Sequence, residues 1–107
     1  MMKLTVLYSP PAQVEEFEAH YLSVHMPLAE TIPGLVRAET SVVVGTPDGS
    51  PAAYHRIAEL YFEDADAMGA GFGSEAGRRT AADASELAAR TGSTVTMLIG
   101  ALDEPAG

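Results

Sequence analysis

The sequence contains no cysteine, so it has neither a disulfide framework nor a metal site built from thiolates. It is also poor in basic residues, with 6 lysines and arginines against 15 aspartates and glutamates and a formal net charge of −9. A surface of that sign repels phosphate backbones, and Arg78-Arg79 is the one adjacent basic pair. We therefore expect no nucleic-acid partner.

Long apolar runs are missing as well. No stretch approaches the roughly 20 apolar residues of a membrane-spanning helix, which argues against a membrane partner. The N-terminal MMKLTVLYSPP has one lysine and a short apolar run before two prolines, a pattern that predicts a first strand rather than a signal peptide. Together with the lack of cysteine, this leads us to expect a soluble, cytoplasmic protein.

The composition that remains is that of an ordinary globular protein, with 47% hydrophobic and 20% charged residues over 107 positions. A chain of this length can bury a sizeable core without disulfides or metals. We find neither an internal repeat nor a linker. We therefore predict a single domain over residues 1–107.

Alternation of apolar and polar residues predicts four strands. They cover Lys3–Tyr8, Leu35–Gly45, Tyr54–Phe62 and Thr94–Ala101. A one-sided apolar stripe predicts a first helix from Ala12 to about Val24, which Pro27 should end because the residue before a proline avoids helical geometry. A second helical region is interrupted by glycines and restarts at Ser74, and Asp103–Gly107 forms a polar tail.

The predicted order is β-α-β-β-α-β, an α+β ferredoxin-like arrangement with a four-stranded antiparallel sheet and both helices on one face. The strands carry apolar residues on both faces, for example Val6 and Leu7 in the first strand. The uncovered face would then expose a large apolar patch, which a stable monomer avoids. We therefore expect a homodimer that packs through this sheet face.

The segments HYLSVHMPLAETIPGL and YHRIAELYFEDADAM resemble those of the EthD-like proteins, and the similarity runs from about Lys3 to Ala101. His25-Met26-Pro27-Leu28 followed by Pro33-Gly34-Leu35 matches the family's H-x-P-L…P-G-L signature. The resemblance implies the dimeric α/β-barrel (ferredoxin-like) superfamily. The chain departs from the family pattern at Tyr21, where many members have tryptophan, and at Leu87, where an aromatic residue is common.

For function, the resemblance implies a small protein of aromatic or ether catabolism, in which many members are accessory proteins. Others resemble lactone isomerases, cyclases or decarboxylases, and some are labelled reductases. The Gly69-x-Gly71-x-Gly73 pattern does not join a strand to a helix in a βαβ unit, so it is not a dinucleotide fingerprint. No G-x-S-x-G elbow is present either. We therefore expect no cofactor.

His25 is the leading candidate for proton transfer, because an imidazole in an apolar pocket can act as an acid or base near neutral pH. The alternative is a partly buried histidine that bonds to a backbone carbonyl and shapes the Pro27 turn. On a regular helix His20 lies about 140° from His25, which predicts a rim position and argues against a shared metal site.

Three further residues are candidate helpers. Tyr8 ends the first strand and His55 begins the third, so the two should be close in an antiparallel sheet, near the start of the first helix. His25 should lie towards the other end of the sheet, near Glu59 or Tyr61. A buried Glu59 would need a partner, either His25 or Arg56, although it could instead face the dimer interface.

Two hypotheses follow, and a redox reaction is the least supported third. In the first, a cofactor-independent enzyme binds a phenol, quinone or lactone between the first helix and the sheet. The candidate catalytic residues are His25, Glu59, Tyr8 and His55, and the candidate ligand-binding residues are Phe17, Tyr21, Leu28 and Tyr61. In the second, the same fold binds an apolar or aromatic ligand without catalysis.

Overall fold

The computed structural model describes residues 1–104, which follow the predicted β-α-β-β-α-β order. The strands are β1 (Met2–Tyr8), β2 (Leu35–Val42), β3 (Arg56–Phe62) and β4 (Val95–Ala101). The helical segments are α1 (Val14–His20), a π-helical turn (Tyr21–His25), α2 (Met26–Ala29), α3 (Ala65–Gly73) and α4 (Glu75–Thr91). The last three residues of the predicted polar tail lie outside the described residues.

The four strands form one antiparallel sheet in the order β2-β3-β1-β4, which confirms the predicted α+β ferredoxin-like fold. Leu4 of β1 pairs with Leu60 of β3 on one side and with Ile99 of β4 on the other. Because side chains alternate along a strand, these three residues share one face, and that face carries the helices. The strands β2 and β3 are shorter than predicted and are joined by residues 43–55.

The core lies between the sheet and the helices. Its largest fully buried side chains are Tyr8, Phe17, Tyr21, Phe62 and Leu87. The helix α4 buries residues at intervals of three and four, including Thr80, Ala84 and Leu87, as expected for a helix with one apolar stripe. It begins at Ser74, whose hydroxyl accepts from the Gly77 N–H at 3.1 Å, and it ends at Gly92 in the left-handed conformation.

The first helix does not end before Pro27, and this corrects the prediction. Met26 has helical dihedrals of −65° and −42°, and helical structure continues to Ala29. The reason is the π-helical turn, in which the Met26 N–H bonds to the Tyr21 carbonyl five residues earlier. The proline falls in the first turn of α2, where its missing N–H is tolerated.

The open face of the sheet is less apolar than predicted. Leu98 is 55% exposed there, but a polar row lies beside it, including the Lys3 Nζ–Glu59 Oε1 pair at 3.0 Å. The Arg37 guanidinium covers the Tyr61 ring at 4.2 Å, and Tyr61 is only 5% exposed. Homodimerisation through this face stays a prediction. Within residues 1–104, no helix has both the length and the apolar character needed to cross a bilayer.

Candidate active site

A cavity of about 370 Å³ lies between the sheet and the helices α3 and α4. Its walls are mostly apolar, and the residues are Leu4, Val6, Tyr8, His25, Leu60, Phe72, Thr80, Ala81, Ala84, Met97 and Ile99. Only three of these side chains have a polar atom: Tyr8, His25 and Thr80. The cavity volume is within the range of small-molecule sites. With only three polar side chains in the wall, hydrogen bonds would orient a ligand, and apolar contacts would make up most of the binding surface.

This position differs from the predicted pocket between the first helix and the sheet. Phe17 and Tyr21 are fully buried core residues whose rings stack at 5.6 Å, and the Tyr8 ring packs edge-on against both. These three rings fill the space beneath the first helix. Leu28 is half-buried on α2, and neither it nor Phe17, Tyr21 or Tyr61 lines the cavity. Space remains instead where α4 presents small residues to the sheet.

His25 forms the polar end of the cavity and contacts residues from two other elements. Its Nδ1 lies 2.8 Å from Oδ2 of Asp83 on α4, and its Nε2 lies 3.4 Å from the Tyr8 hydroxyl at the end of β1. A carboxylate only accepts hydrogen bonds, so this network assigns the proton to Nδ1. The Nε2 lone pair is then directed towards Tyr8 and the cavity.

The surroundings favour neutral forms of both cavity groups. Burial lowers the pKa of His25, and the opposing interaction with Asp83 only partly offsets this effect. Burial, with smaller effects of Tyr21 and Asp83, raises the pKa of the Tyr8 phenol, which therefore remains a hydrogen-bond donor at neutral pH. Burial also raises the pKa of Asp83, but hydrogen bonds from His20 and His25 outweigh it, and the net pKa lies below its ordinary value.

The expectation that His25 lies near Glu59 or Tyr61 is wrong. Glu59 bonds to Lys3 and lies 3.3 Å from the Tyr61 hydroxyl, on the open face of the sheet. Because neighbouring residues of a strand point to opposite faces, β3 directs Leu60 to the cavity and Glu59 away from it. His25 instead reaches Tyr8, whose ring extends under the row formed by Phe17, Tyr21 and His25.

The predicted proximity of Tyr8 and His55 is confirmed at the backbone, where the His55 N–H donates to the Tyr8 carbonyl at 2.7 Å. The imidazole of His55 does not reach the cavity, because its Nε2 lies 3.2 Å from a carboxylate oxygen of Glu18. Glu18 also accepts two hydrogen bonds from the buried Arg56, at 2.8 and 3.1 Å. His55, which precedes β3, and Arg56, its first residue, thus join this end of the strand to α1 in a hydrogen-bond network separate from the cavity.

Comparison with known proteins agrees with this architecture. The EthD domain family matches residues 9–91. The chain belongs to the EthD family. An uncharacterised 11.0 kDa protein from the thcB–thcC intergenic region of Rhodococcus erythropolis is 36% identical over 98 residues, which cover 92% of this chain and 91% of the relative.

Solved structures show the same fold. An EthD family protein from Bacillus halodurans superposes with a TM-score of 0.88 at 29% identity, covering 96% of this chain and 99% of its own. SnoaB, a cofactor-independent oxygenase from Streptomyces nogalater, superposes with a TM-score of 0.67 at 13% identity, covering 97% of this chain and 94% of its own. At that identity the second likeness concerns the fold alone.

Sequence reasoning missed one central residue of this EthD domain, Asp83. Its carboxylate accepts from His25 and also from His20, whose Nε2 lies 2.9 Å from Oδ1. His20 is therefore directed to α4 and not simply to a rim. Asp83 could have been noticed as the one acidic residue between Thr80 and Leu87 on the inward side of α4. Within the described part of the chain, no group of three or more metal-binding side chains is arranged to hold an ion.

Proposed function

We propose that this EthD-family chain is a cofactor-independent enzyme that moves a proton on a small, mostly apolar compound with a phenol, quinone or lactone group. The observation that carries the proposal is His25, whose Nδ1 is bonded to Asp83 and whose Nε2 faces the cavity beside the Tyr8 hydroxyl. A neutral imidazole in this orientation is a general base.

The two cavity groups have complementary roles in this proposal. The lone pair of His25 Nε2 takes a proton from the substrate, and the imidazolium that forms is stabilised by the Asp83 carboxylate. The electron pair left on the substrate moves towards its oxygen. The Tyr8 hydroxyl, which donates to Nε2 in the free site, turns its proton to that oxygen once Nε2 is protonated. The imidazolium then returns the proton to another atom of the substrate. A donor aimed at developing negative charge favours the transition state.

The walls of the cavity support the proposed substrate class. Leu60, Met97 and Ile99 of the sheet and Phe72 of α3 offer apolar surface to a ring or a short chain. The polar side chains of the wall are those of Tyr8, His25 and Thr80. A substrate with many charges would lose its bound water there without gaining enough hydrogen bonds from the protein in return.

The alternative is a binding protein that holds such a ligand without turning it over, and the apolar lining favours binding in either case. A panel of phenols, quinones and lactones, assayed for both affinity and turnover, separates the two. Affinity with turnover supports the enzyme. Affinity without turnover of any compound supports the binding protein and contradicts the enzyme.

The position of the cavity can be tested with the Ala84→Phe variant. Ala84 is 2% exposed and lines the cavity, so a phenyl ring there should fill the space and weaken ligand binding at least about tenfold. Titration calorimetry with the best compound of the panel measures the change. Ala82→Phe is the matched control, because Ala82 is exposed on the same helix. Equal affinity in Ala84→Phe and wild type would contradict this location.

We also propose that the chain forms a homodimer through the open sheet face. Leu98 is exposed there beside the half-buried Leu7 and Ile57, and a sheet-to-sheet contact would remove this surface from water. Light scattering should give twice the mass of one chain. The Leu98→Glu variant should shift the population to the monomer, since an unpaired carboxylate would be buried in the contact. A monomeric wild type would contradict the dimer.

A further inference from the structure

A continuous set of hydrogen bonds leads from the cavity to the surface. It begins at the Tyr8 hydroxyl, passes through both nitrogens of His25 to Asp83, and ends at His20. The side-chain exposure rises along the way, from 7% for His25 to 17% for Asp83 and 20% for His20. His20 does not line the cavity, so any effect on a bound ligand must pass through Asp83 and His25.

The two histidines bind one carboxylate in different ways. His20 Nε2 lies 2.9 Å from Oδ1 and 3.1 Å from Oδ2 of Asp83, whereas His25 Nδ1 contacts Oδ2 alone at 2.8 Å. His20 thus shares its N–H between both oxygens and fixes the plane of the carboxylate. On a regular α-helix the two histidines would be about 140° apart, and the π-helical turn brings them to the same residue.

We propose that His20 is a positioning residue, which holds Asp83 so that His25 keeps its proton on Nδ1 and its lone pair on Nε2. This inference rests on the proposed function for its effect on turnover, but not for its effect on His25 itself. A carboxylate held by a second donor cannot rotate away from His25, as with the outer partners that fix the orientation of ligating histidines. His20 touches no substrate and acts through Asp83.

The ionisable groups that act on this pair come from three elements and the turn. They are His20 on α1, His25 in the π-helical turn, Asp83 on α4 and Tyr8 on β1, while Tyr21 acts on Tyr8. Burial lowers the pKa of His25, the hydrogen bond and the charge of Asp83 raise it, and the charge of His20 lowers it. Removal of His20 would remove its own charge and also free Asp83, and these two changes shift the pKa of His25 in opposite directions, so the tautomer is the deciding readout. A residue that only supported the fold would leave the tautomer of His25 unchanged.

The test compares His20→Ala with His20→Gln, whose side-chain amide can still donate to Asp83. Nitrogen-15 NMR of the free protein reports the tautomer and the pKa of His25. We expect the Nδ1–H tautomer in wild type, a mixture of the two tautomers in His20→Ala, and recovery of the Nδ1–H tautomer in His20→Gln. Thermal unfolding of both variants identifies any loss of the fold.

Turnover gives the second readout. His20→Ala should lower kcat about 10- to 100-fold, as a misplaced catalytic group does, and leave KM nearly unchanged. His20→Gln should restore most of kcat. An unchanged His25 tautomer in a folded His20→Ala variant would overturn the positioning role. A wild type without turnover would overturn the proposed function alone, because the NMR result does not depend on catalysis.

Discussion

The His25→Ala variant should lose about 10²- to 10⁴-fold in turnover, the usual contribution of a general base, while its affinity for the ligand changes little. The imidazole is only one part of a mostly apolar wall, so its removal leaves most of the binding surface in place. The measurement is kcat and Kd for the best substrate of the phenol, quinone and lactone panel. Val24→Ala is the matched control, because Val24 is exposed in the same π-helical turn.

The pH profile adds an independent check on His25. Its pKa is lowered by burial, and only the neutral imidazole is a base, so kcat/KM should rise with pH through a value below 6.5 and then level off. If kcat/KM rose instead through a pH above 6.5, the protein would favour the charged imidazolium of His25. If turnover in His25→Ala stays within threefold of wild type, about 0.7 kcal/mol, His25 is not the base.

The Gly77→Ala variant should be less stable than the wild type. A methyl group at this position would lie 2.2 Å from the Gly71 carbonyl oxygen and 2.5 Å from the Phe72 Cα, and both are backbone atoms that cannot rotate away. Overpacking of this kind costs about 1–3 kcal/mol, and the gain of about 1 kcal/mol in helix propensity does not offset the upper part of that range. Denaturant unfolding measures the loss.

Gly69→Ala provides the control of opposite sign. Apart from its chain neighbours and the backbone of its own helix, no described atom lies within 4 Å of a methyl group there. The higher helix propensity of alanine should therefore raise the free energy of unfolding by about 0.5–1 kcal/mol. Because Phe72 lines the cavity and lies against Gly77, a folded Gly77→Ala variant should also bind ligand more weakly. Equal stability of the two variants would show that α3 and α4 separate easily.

The fold could be predicted because strand alternation and turn residues are local signals. The pairing of Tyr8 with the start of β3 followed directly from the antiparallel order. The role of α4 was harder to foresee, since Asp83 is separated from His25 by 58 positions and no local pattern reports such a contact. The helical wheel also failed at His20, because it assumes a constant angle per residue and the π-helical turn changes that angle.

The position of the cavity in the fold is determined by the volumes of the inward side chains more than by the pattern of apolar residues. Beneath the first helix, Phe17 and Tyr21 are large enough to fill the layer and leave no room for a ligand. Along α4 the inward positions that line the cavity include Thr80 and Ala84, which have small side chains. A comparison of residue sizes on the two apolar stripes would have favoured α4 as the wall of the pocket.

The π-helical turn has a consequence for how related sequences are aligned. Such a turn is equivalent to one residue inserted into an α-helix. If a relative lacked that residue, its two histidines would be four positions apart on a regular helix, about 40° from each other, and could still meet one carboxylate. A relative with a one-residue gap between positions 20 and 25 therefore keeps its two histidines close together. A relative whose histidines are five positions apart on a helix without the π-helical turn does not.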